Sequence, residues 1–224
     1  LASFAGYGAG AFIPPFFLRE YGLNYAEVGL LVGLVNGFSA GIGTLAGGFI
    51  ADRMARRSAR WYALTPALGM LIGTPIYIFA FLQTSWEMTA FLLLLPGLFI
   101  STYLGPTFGV VQNMVDTRRR ATATALLFFF LNLIALGGGP PIAGLIIDHL
   151  AAYNFFNAGA GFGQAALGMF GADPGAYQAA CPGGMAPAGS PADLAAQCAG
   201  SLSKATREGV IIVLGAYLWA GLHY

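Results

Sequence analysis

Fourteen residues, from Gly47 to Arg60, constrain this chain more than any others. They read Gly-Gly-Phe-Ile-Ala-Asp-Arg-Met-Ala-Arg-Arg-Ser-Ala-Arg and hold four of the ten basic side chains. Long apolar runs flank them, from about Ala26 to Ala51 and from about Trp61 to Leu82. Each can cross a hydrocarbon core of about 30 Å, which takes about 20 helical residues. A short arginine cluster between two such runs predicts a tight turn on the cytoplasmic face. That turn fixes the direction of every other span. Composition agrees: 57% of residues are hydrophobic and 8% charged, against about 25% charged in a soluble domain. The net charge is +1, and no basic stripe with interleaved aromatics exists, so no nucleic-acid partner is expected. The first residue is Leu rather than Met, and the native start is expected upstream. No signal peptide with a charged leading region is visible.

In chain order, six spans are predicted. The first is Leu1–Leu18, with Pro14-Pro15 near its outer end. Asn24 and Glu27 read as a reciprocal helix cap, opening a second span that ends at Ala51. The third is Trp61 to about Leu82, and the fourth runs from about Met88 to Val115. The fourth carries Ser101, Thr102, Tyr103, Thr107, Gln112 and Asn113 in its second half. Polar groups are costly in hydrocarbon, so this side should face a cavity or another helix. Asp116-Thr117-Arg118-Arg119-Arg120 forms a second basic cluster. Seven of the ten Lys and Arg then lie on one side (53, 56, 57, 60, 118, 119, 120) and three on the other (19, 204, 207). The fifth span runs from Ala121 to about Ile147. Its stretch Gly137-Gly138-Gly139-Pro140-Pro141-Ile142-Ala143-Gly144 is too rich in Gly and Pro for a straight rod. The domain plan is therefore a five-span bundle over 1–150, an outer insertion over 151–207, and a sixth span over 208–224. Within the insertion, Tyr153–Phe156 and Gly161–Phe170 could lie on the membrane surface.

Several side chains are singled out. Gly29, Gly33, Gly37 and Gly41 repeat every four residues and share one helix face, a flat groove for another backbone; Gly43 and Gly47 form a second pair. Asp52 sits at the C-terminal end of its helix, where an acid opposes the helix dipole. It needs a partner: an Arg or the start of another helix. Cys181 and Cys198, the chain's two cysteines, both fall outside and are predicted to form a disulfide. Gly37-Phe38-Ser39-Ala40-Gly41 matches a hydrolase nucleophile pattern, but that pattern needs a strand before the Ser, and only His149 and His223 could serve as base. No catalytic, metal or cofactor site is expected.

The spacing Gly48-x-x-x-Asp52-Arg53, followed by Arg56 and Arg57, resembles the loop signature of the major facilitator superfamily of transporters. That signature follows the second span of each six-span half. Its usual Gly three residues after the Asp is Ala55 here. Three further stretches are similar to the carboxy-terminal half of the spinster-like subgroup: Phe16–Leu23; Gly105-Pro106 with Arg119–Ala125; and Gly139-Pro140 with Gly144 and Asp148. The long outer segment departs from that subgroup. The resemblance implies an all-α membrane protein, six transmembrane helices forming one half of a major facilitator-type bundle in a bacterial inner membrane. It implies a gate contact at Asp52, cavity-lining first and fourth spans (Tyr7, Phe12, Tyr103, Thr107, with Asn113), and an interface with the absent amino-terminal half through Gly29–Gly41 and Gly137–Gly144. The expected partners are membrane lipid, a small organic or lipid-like solute moved by alternating access, and the amino-terminal half of the same polypeptide. The alternative is a non-transporting six-span structural or assembly protein.

Overall fold

The computed structural model describes residues 1–224 and contains ten α-helices and no strand. They are α1 (Ala2–Tyr21), α2 (Tyr25–Ala55), α3 (Trp61–Ala80), α4 (Trp86–Ser101), α5 (Leu104–Asn113), α6 (Arg120–Leu131), α7 (Gly137–Phe156), α8 (Phe162–Gly168), α9 (Pro174–Ala180) and α10 (Ala192–Leu222). Five stretches are long and apolar enough to cross a membrane: α2, α3, the α4–α5 pair, the stretch from Thr117 to Phe156, and α10. The expected first span, α1, falls outside that set, because Gly6, Gly8, Gly10, Arg19 and Glu20 dilute its hydropathy. It is nonetheless a full member of the bundle, packed on α10, α7 and α2. Phe16 and Phe17 are fully buried near its C-terminal end.

Local chemistry explains where the helices start and bend. Asn24 caps α2: its side chain accepts from Glu27 N–H at 2.9 Å, and Glu27 accepts from Asn24 N–H at 3.0 Å. The two reciprocal bonds satisfy donors that the helix itself cannot. The fourth span breaks between α4 and α5. Pro106 has no N–H to offer the carbonyl four residues back, at Thr102, and the Thr102 hydroxyl donates to Phe99 O at 2.6 Å. This break is clasped by glycines. A Cβ on Gly47 would lie 2.5 Å from Thr102 Cα, and one on Gly105 would lie 3.0 Å from Gly48 Cα. A Cβ on Gly69 of α3 would collide with Phe99 O and the Thr102 hydroxyl. Small residues therefore bring three backbones together at one level.

In the fifth span the irregularity lies one turn earlier than the Gly- and Pro-rich stretch. Asn132–Leu136 forms a π-turn, and α7 then runs on as one helix through Pro140 and Pro141 to Phe156. The prolines withhold the N–H groups that would bond back to Leu136 and Gly137, so the ladder widens just ahead of them.

The segment that carries the two cysteines is a packed unit. The disulfide between Cys181 and Cys198 has a Cα–Cα separation of 5.6 Å. Around it, Leu150, Ala151, Ala165, Met169, Tyr177 and Ala205 form a core separate from the bundle core. Tyr177 is fully buried and donates to Cys198 O at 3.2 Å. Burial pushes its phenol above the ordinary tyrosine range. The boundary expected between 207 and 208 falls inside α10, which begins at Ala192, directly after Pro191. Ala, Leu, Gln and Lys from 192 onward are good helix formers. Of the two segments expected on the membrane surface, 153–156 is the last turn of α7, and 162–168 is the short helix α8.

Candidate functional site

The crossing of α1, α2 and α4 leaves a cavity of about 330 Å³. α1 contributes Ser3, Gly6, Tyr7, Gly10 and Ile13, and α2 contributes Asn36, Ser39 and Ala40. Gly97, Ile100 and Ser101 come from α4, Tyr103 and Leu104 from the break after it, and Tyr77 and Tyr217 from α3 and α10. Hydroxyls and one amide line it, and no charged side chain does. Ser3 Oγ and the Tyr103 hydroxyl lie 3.1 Å apart across the α1–α4 seam. Tyr7 donates to Asn132 Oδ1 at 3.4 Å, a long bond that reaches the π-turn. Asn132 Nδ2 in turn donates to Phe128 O at 2.8 Å. Glycines again set the walls: a Cβ on Gly6 would lie 2.8 Å from the Tyr217 hydroxyl, and one on Gly97 would overlap Ser39.

Five residues were expected to line a cavity, and the structure separates them. Tyr7 and Tyr103 do line it. Phe12 lies between the two apolar cores, with its ring tip 3.5 Å from where a Cβ on Gly144 would stand. Helix geometry explains this: Phe12 is five residues after Tyr7, about 140° around the helix at 100° per residue. The Thr107 hydroxyl bonds Tyr103 O and the Tyr224 hydroxyl, both at 2.6 Å, tying α5 to the chain end. Asn113 is exposed in the last turn of α5, outside the cavity. Sequence reasoning passed over Ser3, Asn36 and Asn132 as site residues. Asn36 and Asn132 are amides inside apolar spans, and their cost in hydrocarbon was the signal available.

The two glycine faces also behave differently. Cβ atoms on Gly29, Gly33, Gly37 and Gly41 would meet nothing within 4 Å. This face of α2 touches no other part of the chain. Gly43 and Gly47 make the intrachain contact, against Leu98 and Thr102. The second stretch is open only in part, with Gly137 exposed and Gly139 buried. Gly139 lies against α1: its Cβ would stand 2.8 Å from Phe4 O and 3.0 Å from Gly8 N. Two glycines facing each other let α1 and α7 cross in backbone contact.

At the opposite end of the bundle from the disulfide unit, Asp52 accepts from the Tyr62 hydroxyl at 2.9 Å. Tyr62 is in the first turn of α3, so an intrachain partner exists where none was assigned from sequence. Arg53, Arg56 and Arg57 are exposed and surround a shallow depression of about 230 Å³. Arg118, Arg119 and Arg120 are exposed and form no ion pair. Gly48 backs onto Gly105 just above.

An all-helical bundle of membrane-length helices, with an uncharged, partly hydroxyl-lined cavity to one side of a bent fourth span, is the architecture of one half of a two-bundle membrane transporter. Similarity to known proteins narrows the class. The family model described as Major Facilitator Superfamily matches residues 1–178, and the chain belongs to that family, one of transporters rather than enzymes. An MFS-type efflux pump of Mycolicibacterium smegmatis (strain ATCC 700084 / mc(2)155) is 33% identical over 148 residues, covering 66% of this chain and 34% of the pump. Two crystal structures of a bacterial homologue of the human lysosomal transporter Spinster, both inward-facing, share the fold at 23% identity. The unoccupied form superposes with a TM-score of 0.72 over 98% of this chain and 43% of its own. The occupied form gives 0.73 over 99% and 45%. The chain thus spans about a third of the curated relative it matches and under half of each solved structure.

Proposed function

We propose that this chain is the carboxy-terminal six-helix half of a secondary transporter. It moves a small organic or lipid-like solute by alternating access, working against an amino-terminal half of the same polypeptide. The carrying observation is the position of the cavity. Its α2 wall, Asn36 and Ala40, lies one residue ahead of Gly37 and Gly41, so cavity and bare glycine face are neighbouring strips about 100° apart on one helix. A second bundle laid on the glycine face would roof the cavity and enclose a solute between two rocking bodies. The lining of hydroxyls, amide and aromatic rings, without a charge, suits a neutral or amphipathic solute. The similarity to an efflux pump favours export. Asp52 and the arginines beside it would meet the partner half at the cytoplasmic end, in a bacterial inner membrane. Proton-coupled relatives use membrane carboxylates. With no acid in this cavity, the coupling group would belong to the other half, or transport would be facilitated. A non-transporting six-span protein would seal its polar interior; here Tyr7 is 40% exposed at the cavity mouth.

The test is organic-dye accumulation in cells expressing the full-length protein, its Tyr103→Phe variant or its Ser3→Ala variant. Lower accumulation with the native protein, partly restored in both variants at equal expression, supports the reading. Accumulation unchanged by the native protein across neutral and amphipathic dyes refutes the export assignment. Unchanged transport in both variants removes the cavity from the path.

A further inference from the structure

The cavity takes most of its lining from α1, α2 and the α4–α5 break. From α3 and α10 it takes one residue each, and both are tyrosines, Tyr77 and Tyr217. Tyr217 is 5% exposed. A phenol buried this deeply normally finds a partner for its hydroxyl. The Tyr217 hydroxyl has none within the chain, and it is not sealed off, since it borders the cavity. It reaches the cavity past Gly6, where a Cβ would stand 2.8 Å from the hydroxyl. Thus α1 forgoes a side chain at position 6, and α10 fills the opening with an O–H.

Tyr77 does the same from the other flank. It is half-buried, lines the cavity beside Asn36, and its hydroxyl also lacks a partner in the chain. The Asn36 side-chain amide is free as well; only its backbone carbonyl is used, by Ser39. By contrast, Ser3 and Tyr103 bond each other, and Tyr7 donates to Asn132. Water can serve the free groups while the cavity stands open. A solute that displaces the water must offer an acceptor in its place, or the hydroxyls are left unpaired at a cost. A cation would face these O–H and N–H donors with no acid to balance it. An anion would find no basic side chain in the lining.

We propose that the Tyr217 and Tyr77 hydroxyls, with the Asn36 amide beside them, bind an acceptor oxygen of a neutral solute, such as a carbonyl or ether oxygen. The two tyrosines are then specificity-determining residues supplied by helices that otherwise stand outside the cavity. The inference deepens the transport reading above and rests on it, because the occupant is taken to be the transported solute.

The experiment measures binding to the purified full-length protein in micelles. The probes are Prodan, a neutral naphthalene dye with one ketone oxygen, its analogue with the carbonyl reduced to methylene, and its quaternised trimethylammonium form. Tyr217→Phe and Tyr77→Phe keep both rings and break no bond within the chain, so unchanged unfolding curves verify the fold. Each should weaken Prodan binding about fivefold, the worth of one hydrogen bond. Binding of the methylene analogue should change less than about twofold, because it never used the hydroxyl. Micelle partitioning cancels in each variant-to-native ratio. Unchanged Prodan binding in both variants, or equal weakening for Prodan and its methylene analogue, overturns the proposal. So does the absence of saturable Prodan binding to the native protein. Tighter binding of the quaternised form would make the tyrosines a cation cage and overturns it too. Prodan export from cells reads the transport assignment separately. Export combined with hydroxyl-independent binding sinks this proposal alone, whereas hydroxyl-dependent binding without export supports the site and sinks the transport reading.

Discussion

Gly47 and Gly37 lie on the same helix ten residues apart, and alanine at each should have opposite consequences. At Gly47 the new Cβ would stand 2.5 Å from Thr102 Cα and 2.8 Å from its carbonyl carbon. Ordinary carbon contacts lie at about 3.5–4.0 Å, so α2 and the α4–α5 break must separate by about 1 Å. Both sides of the contact are backbone, and no side chain can swing away. Overpacking of this kind costs about 1–3 kcal/mol. At Gly37 nothing lies within 4 Å, so alanine meets no clash. Both substitutions gain the same helix propensity, about 0.8–1.0 kcal/mol, which cancels when the two variants are compared. Gly47→Ala should therefore be about 1–3 kcal/mol less stable than Gly37→Ala. SDS-driven unfolding in mixed micelles, followed by tryptophan fluorescence, measures the difference. Equal stabilities, within about 0.5 kcal/mol, would show that the α2–α4 crossing is looser than described and would refute the reasoning. The proposed function adds a second readout. Gly37→Leu should fold normally yet lower transport, because the bare face is needed by the other half; normal transport would make that face lipid-facing.

Replacing both Cys181 and Cys198 by Ala should loosen the outer unit by about 3 kcal/mol, the chain-entropy value for a loop of about 18 residues. Limited proteolysis should then cut between 157 and 200 while the bundle stays intact, and equal protease resistance would count against this. Tyr62→Phe removes the one hydrogen bond made to Asp52; at an exposed site water replaces that bond, so stability should stay unchanged within error in the same unfolding assay while transport falls, and unchanged transport would remove the contact from the gate. Gly6→Ala should drive the Tyr217 hydroxyl out of the cavity wall, lowering transport, and an unchanged rate would mean that α1 and α10 separate freely. For topology, single cysteines at Ser58 and Ser190, in a background without Cys181 and Cys198, should react with an impermeant thiol reagent in intact cells at 190 and not at 58. The reverse pattern would invert the orientation.

Much of the architecture was legible along the chain. Apolar length, the seven-to-three split of basic residues and the Gly-x-x-x-Asp-Arg turn specify a helical membrane bundle of the major facilitator type. These signals are local or periodic: bilayer thickness sets a run length, and a turn signature occupies a few adjacent positions. The capping pair Asn24 and Glu27 is local in the same sense, and its two bonds form as spacing dictates. The cysteine pair was legible by elimination, since no other partner exists.

Which of two equivalent patterns meets a neighbour was decided in three dimensions. Gly29–Gly41 and Gly43–Gly47 have the same four-residue period, yet only the second pair touches α4 and the break after it. Gly139 was expected on an open face and instead lies against Gly8. A four-residue period names a face of a helix, but not what stands opposite; that depends on the crossing angles of all the helices together. The same limit placed Phe12 in the core and Tyr7 in the cavity, and gave Asp52 its partner in the next helix. Where the first turns of α10 lie was likewise decided by tertiary contacts, since the disulfide and Tyr177 tie them to α9. Hydrophobicity fixes which segments enter the membrane, because transfer from water depends on each segment's own side chains. Which glycine is bare and which hydroxyl faces the cavity depends on distances between backbones that only the packed bundle sets.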